Sequence, residues 1–143
     1  MAHVRSAILC DFAQIREGLL FVSSGGITRI ATAGPGSPIS FHVAGQIEVP
    51  ATEEGSTVEV GFKVSSAETA RDLWSATLAV TTKPDASTLF PGESTHLPFA
   101  LPVGPFTAES LGPHDLKVTI DNDETELLTF YVLQVVASDT PPA

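Results

Sequence analysis

The chain has one cysteine, one tryptophan, one tyrosine and one methionine, and only seven lysines and arginines. Each scarcity excludes something. A lone Cys10 cannot form an internal disulfide, so no covalent staple is available. Seven basic residues against seventeen acidic ones leave a net charge of −10, and Arg5, Arg16, Arg29, Lys63, Arg71, Lys83 and Lys117 are scattered singly. Nucleic acid and anionic lipid both demand clustered cations to replace counterions, so neither is an expected partner. No apolar run approaches the roughly 18 residues of a membrane-spanning helix. The apolar stretch between Arg5 and Asp11, Ser6-Ala7-Ile8-Leu9-Cys10, is shorter than the about 7–15 residues of a signal-peptide core. A cytoplasmic address is the expectation.

What the chain does have is alternation. Hydrophobic residues make up 43% of its 143 residues and charged ones 17%, which suits a compact domain rather than disorder. Between Thr57 and Val64, Val58, Val60, Phe62 and Val64 share one phase, while Thr57, Glu59 and Lys63 take the other. Period two is the mark of a half-buried strand, because successive side chains point to opposite faces of a sheet. Leu116–Ile120 repeats it. So does Ile39–Val49, with Ile39, Phe41, Val43, Ile47 and Val49 in phase and His42, Gln46 and Glu48 opposite.

Further strands follow the same rule. Val4–Phe12 aligns Val4, Ile8, Cys10 and Phe12, and Leu73–Thr81 aligns Trp74, Ala76, Leu78 and Val80. Thr95–Val103 aligns Leu97, Phe99, Leu101 and Val103, with Pro98 on the far side. Proline cannot donate to a ladder, so this strand is expected at a sheet edge. Gly18–Val22 and Ile27–Thr32 flank Ser23-Ser24-Gly25-Gly26, which reads as a tight hairpin. Glu124–Val136 is the longest strand, with Leu128, Phe130 and Val132 inward. Only one-turn helical pieces are expected, at 66–72 and 107–111. Loops fall at Ala33–Pro38, Lys83-Pro84-Asp85, Pro91-Gly92-Glu93 and Pro102–Pro105.

Eight or nine short strands with regular turn signals predict an all-β fold, an antiparallel two-sheet β-sandwich. Residues 1–137 form a single domain in this reading, and 138–143 a polar, proline-rich tail. The run Gly112-Pro113-His114-Asp115-Leu116-Lys117-Val118-Thr119-Ile120, followed by Asp121-Asn122-Asp123, resembles the penultimate-strand entry of immunoglobulin-like domains. His114 stands where those domains carry a tyrosine. The opening Ala7-Ile8-Leu9-Cys10-Asp11-Phe12-Ala13, with Glu17-Gly18-Leu19-Leu20 and Gly25-Gly26-Ile27-Thr28, resembles a bacterial family of small β domains without an assigned activity. That resemblance brings no catalytic residues.

Candidate chemistry is sparse. His3, His42, His96 and His114 lie far apart with no metal-binding spacing, and His42 and His96 could meet only on neighbouring strands. Asp121, Asp123, Glu124 and Glu126 at a hairpin, with Glu53 and Glu54 as a second group, could suit calcium; the plainer reading is a turn. Cys10 shares a phase with Ile8 and Phe12 and is expected to be buried, and Asp11 with Arg5 suggests an ion pair. Gly92-Glu93-Ser94-Thr95-His96 lacks the second glycine of a nucleophile elbow, and no phosphate-binding glycine loop occurs. Neither enzymatic activity nor a cofactor is expected.

Two strands are apolar on both sides. Leu127, Thr129, Tyr131 and Leu133 on the last strand, with Leu9 on the first, outline a second apolar face. The expected function is a non-enzymatic interaction module that docks a protein partner or associates with itself. The alternatives are a structural subunit of a larger, phage-like assembly, or ligand or calcium binding at loops.

Overall fold

A computed structural model describes residues 1–53, 55–82 and 90–135. Glu54, the Lys83-Pro84-Asp85 loop, Val136 and the 138–143 tail lie outside the described residues. The chain is all-β. Among the described residues ten strands run in order: β1 (His3–Cys10), β2 (Phe12–Arg16), β3 (Leu19–Ser23), β4 (Arg29–Thr32), β5 (Pro38–Val49), β6 (Thr57–Ser66), β7 (Asp72–Thr81), β8 (Thr95–Thr107), β9 (Gly112–Ile120) and β10 (Asp123–Gln134). The helical pieces expected at 66–72 and 107–111 are turns and bends, and among the described residues a single 3-10 turn occurs, at Ala51–Glu53.

The strands form a three-stranded sheet, β1-β5-β8, a five-stranded sheet, β4-β10-β9-β6-β7, and a separate two-stranded sheet, β2-β3. Pairing is antiparallel throughout except between β4 and β10, which are parallel, so the larger sheet is mixed rather than wholly antiparallel. The two larger sheets close on one core. Phe41 meets Phe130 edge-on at 5.3 Å, and Phe62 tilts against Phe99 at 5.3 Å. Val58, Val60, Phe62 and Val64 are buried as their phase requires, and so are Phe99, Leu101 and Val103 on β8. The proline-bearing β8 sits at a sheet edge, as Pro98 demands.

Of four register slips among the described strands, two re-aim residues singled out from the sequence. The β1–β5 register slips between Val4 and Ser6, making Arg5 an extra residue. Val4, Ala7 and Leu9 therefore pack toward the core, and the expected row of Val4, Ile8, Cys10 and Phe12 is split. The β10–β9 register slips between Glu126 and Leu128, which turns Leu127 toward the core as well as Leu128.

A third departure concerns the first hairpin. Ser23–Gly26 is not its turn, because β3 pairs with β2 and β4 pairs with β10. The turn is Glu17-Gly18, both with positive φ (53° and 74°), the geometry that matches the twist of a two-residue hairpin loop. Ser23–Gly26 instead carries the chain across to the other sheet.

Gly45 and Gly61 give a matched test of the packing. A Cβ on Gly45 would collide with the Ser6 backbone carbonyl beside the bulge and with the Phe99 ring. One on Gly61 would meet only Thr119, at 3.7 Å. Gly45→Ala is expected to cost about 1–3 kcal/mol in urea unfolding, and Gly61→Ala almost nothing.

Candidate functional site

The β2–β3 hairpin lies against the outer face of the three-stranded sheet, and small side chains decide how close it comes. Cys10 on β1, Ala44 on β5 and Ala100 on β8 floor the contact, and Ala13 and Leu20 of the hairpin pack onto them. Short side chains on both layers let the hairpin settle near the sheet. The small contact leaves most of its apolar surface uncovered.

Both faces of the hairpin carry apolar residues. Paired residues share a face, so Ala13, Ile15, Leu20 and Val22 turn toward the sheet, and Phe12, Gln14, Arg16, Leu19 and Phe21 turn away. Leu19 is 64% exposed, Phe12 49% and Phe21 48%. Ile15, Val22 and neighbouring Ile8 are exposed at the rim. Arg16 lies 5.9 Å from the Phe21 ring centre, within cation–π range, and Phe12 meets His42 edge-on at 5.1 Å. This is the most concentrated exposed apolar surface among the described residues. Sequence reasoning passed over it because the glycines at 25 and 26 outweighed Glu17-Gly18 as a turn signal. Two five-residue segments, Phe12–Arg16 and Leu19–Ser23, mostly apolar and set around a Glu-Gly dipeptide, were the available clue.

The residues singled out from sequence do not share a surface. Leu9 is 2% exposed and belongs to the main core, and the bulge takes Leu127 to the core side. Thr129, Tyr131 and Leu133 do line the outer face of the five-stranded sheet, with Tyr131 exposed and Leu133 half-buried. Their surroundings are polar. Thr129 Oγ1 lies 3.0 Å from Asp115 and 2.8 Å from Glu126, and Arg29 stands beside Tyr131 in register.

Further along that face, Lys63 Nζ donates to Glu124 at 2.8 Å, with Lys117 at 3.8 Å from the same carboxylate. The Lys63 hydrogen bond holds the Glu124 carboxyl below its usual range and lifts Lys63 above its own. The Glu124 pairing therefore adds stability above the ordinary carboxylate range and loses it as pH falls through the lowered value. Glu124 is exposed and Lys63 only half-buried, so the contribution is small.

Of the four histidines, His3 and His96 come together around Glu48, and His42 and His114 stand apart from them. His42 pairs with Pro102 and His96 with Glu48, so neighbouring strands still hold the two rings far apart. His42 Nδ1 lies 3.1 Å from the Asp11 carbonyl. Glu48 lies between His3 and His96, 3.5 and 3.6 Å from their Nε2 atoms, and 3.7 Å from Arg5. Arg5 also contacts His96, so its ion pair is with Glu48 rather than Asp11.

His114 is fully buried, stacks on Phe130 at 5.6 Å, and donates from Nδ1 to the Gly112 carbonyl at 3.0 Å. Trp74 packs against the core. Asp121 and Asn122 have positive φ and form the β9–β10 turn. Glu53 is occupied by the Met1 amine at 3.1 Å and the Ala2 amide at 3.0 Å. Among the described residues, no three His, Cys, Asp or Glu side chains are arranged to hold a metal ion.

A family model matches residues 5–133, from β1 to β10. The chain belongs to DUF6941, a family of unknown function. No curated protein matches the chain. The DUF6941 span takes in the hairpin as well as both larger sheets, so the hairpin lies within the family's matched span. Among the described residues, no helix is long and apolar enough to cross a membrane.

Cys10 reports on the hairpin's seat. Burial, then the charge of Asp11, raises its thiol above the ordinary value, and Sγ lies 3.6 Å from the His42 carbonyl. The reactive thiolate is therefore scarce at neutral pH. Labelling by a disulfide reagent is expected to be far slower in the folded chain than in urea. Ala13→Asp should speed it while far-UV dichroism keeps its β signature.

Proposed function

We propose that the chain is a non-enzymatic interaction module, an immunoglobulin-like sandwich of a bacterial cytoplasm, that binds a protein partner through its β2–β3 hairpin. The observation that carries this reading is the exposed row of Phe12, Leu19 and Phe21 on a two-stranded element standing outside both larger sheets. Contiguous apolar surface of this kind marks interaction sites, because leaving it in water costs free energy that a partner recovers. Aromatic side chains with few rotatable bonds suit such a role, since little entropy is lost when they are immobilised.

Charge points to the chemistry of the partner. The chain carries −10; Asp11 precedes the hairpin and Glu17 sits in its turn, next to Arg16 on its outward face. A protein surface with an apolar centre and a rim of lysine and arginine complements it, whereas an anionic membrane or a nucleic acid would be repelled.

The immunoglobulin-like reading draws support from strand order. The N-terminal part of the chain lends β1 to the smaller sheet and β4 to the edge of the larger one, where it runs parallel to the final strand. The β5 and β8 partners of β1, and the β10-β9-β6-β7 order opposite, fit the same scheme. Read this way, the hairpin is an insertion between two halves of a split first strand.

The test is recovery of partners from the source cell with tagged protein. Leu19→Asp with Phe21→Asp is expected to lose a partner that the unaltered chain retains, with the melting temperature nearly unchanged because both residues are already exposed. Tyr131→Asp, on the other sheet, is expected to retain it. Loss with Tyr131→Asp and retention with the hairpin variant would overturn the assignment.

A further inference from the structure

The slips in β1 and β10 flank one end of the molecule. Without the slip between Glu126 and Leu128, the core-facing phase of Phe130 would continue through Leu128 to Glu126 and Glu124. The slip sends those carboxylates to the outer face, where Glu124 finds Lys63, and turns Leu127, Thr125 and Asp123 inward instead. On β1 the extra residue at Arg5 does the same for Val4 and Ala2, which pack with the core while Arg5 reaches Glu48. Bulges that re-aim side chains are concentrated next to functional sites.

Between them an opening reaches the core. Asp123 pairs with Ile120 and Thr125 with Val118, so both polar side chains take the side of buried core residues, yet both are exposed. A cavity of about 200 Å³ lies there, floored by Val4, Val118, Ile120 and Leu127, with Asp123 and Thr125 at its mouth. Ligand sites have this composition, an apolar wall with a few polar groups that fix orientation. An apolar cavity of about 150 Å³ accommodates benzene, so this one has room for a single small ring or a chain of similar size.

We propose that this cavity binds a small organic cation, an ammonium group carried on an apolar body of about six to eight carbons. Charge selects the head group. The basic groups at this end already have carboxylates: the Met1 amine lies 3.1 Å from Glu53, and His3 and Arg5 lie 3.5 and 3.7 Å from Glu48. Lys63 and Lys117 are both taken by Glu124. Asp123 is left without an ion-pair partner among the described residues, and its carboxylate stands uncompensated at the mouth. An ammonium there pairs with Asp123 and donates to the Thr125 hydroxyl, while the apolar body covers Val118, Ile120 and Leu127. The net charge of −10 draws a cation to this opening and repels an anion. The site lies at the start of β1, whereas the hairpin is seated at its end on Cys10, so the two surfaces are separate.

Titration of the full chain with phenethylamine, followed through the methyl resonances of Val4, Val118, Ile120 and Leu127, tests this. These methyls are expected to shift and saturate in the roughly millimolar range, as suits a ligand of this size. The uncharged 2-phenylethanol keeps the ring and loses the ammonium, and should bind about threefold or more weakly. The anion 3-phenylpropionate should cause no shift. Asp123→Asn should lower phenethylamine to the affinity of the alcohol, with the melting temperature unchanged because Asp123 is exposed. Equal binding of the amine and the alcohol, or full affinity in Asp123→Asn, overturns the proposal. So do shifts confined to the hairpin residues Phe12, Leu19 and Phe21, or cavity methyls that never respond, including the case in which the Met1 side chain occupies the space.

Discussion

Phe41 against Phe130 and Phe62 against Phe99 clamp the three-stranded sheet to the five-stranded one, and each pair joins a strand of one sheet to a strand of the other. Around them, Val43, Val60, Val64, Leu116 and Val132 are buried completely. Every strand of the two larger sheets has to present one phase of its side chains to this core. That demand fixes which residues are left for the outside. Where a bulge shifts the phase, as at Arg5 or Leu127, the outside changes composition with it.

The hairpin is the consequence of most interest. Its seat needs small residues on the outer face of the smaller sheet, and Cys10, Ala44 and Ala100 supply them. The ends of the hairpin meet: Asp11 donates its amide to the Ser23 carbonyl at 3.2 Å, and Phe12 pairs with Ser23. The element is therefore closed on itself, supported on one side and apolar on the other. A strand pair built only for packing would have turned its large residues down and its polar ones out. Here Phe12, Leu19 and Phe21 face solvent beside Gln14 and Arg16, while Ala13, Ile15, Leu20 and Val22 face the sheet.

Much of the architecture was legible from alternation alone. β6, the Thr95–Val103 part of β8 and the latter part of β9 follow period two without a break across their core rows, and Pro98 alone is enough to place β8 at an edge. Two of the failures share one physical origin. A bulge inverts the facing of everything beyond it, and neither Arg5 nor Leu127 is a glycine or any other residue that announces one. Leu9 and Leu127 were consequently assigned to an outer surface and lie at the core instead. The hairpin was hidden by a different competition, since Gly25-Gly26 outweighs Glu17-Gly18 as a turn signal although only the latter closes a strand pair. Tyr131 and Thr129 were placed on the right face, but the acidic and basic side chains around them come from β6, β9 and β4, which sequence spacing does not reveal.

The central claim is that the hairpin is a recognition element carried by a domain that folds without it. Replacing Phe12–Val22 with a short glycine–serine link tests this most directly, because Asp11 and Ser23 are already hydrogen-bonded neighbours. The shortened chain is expected to keep a cooperative thermal transition and its β dichroism while losing the partner that the full chain retains. A shortened chain that no longer folds would show that the hairpin completes the structure, and one that keeps its partner would show that recognition lies elsewhere.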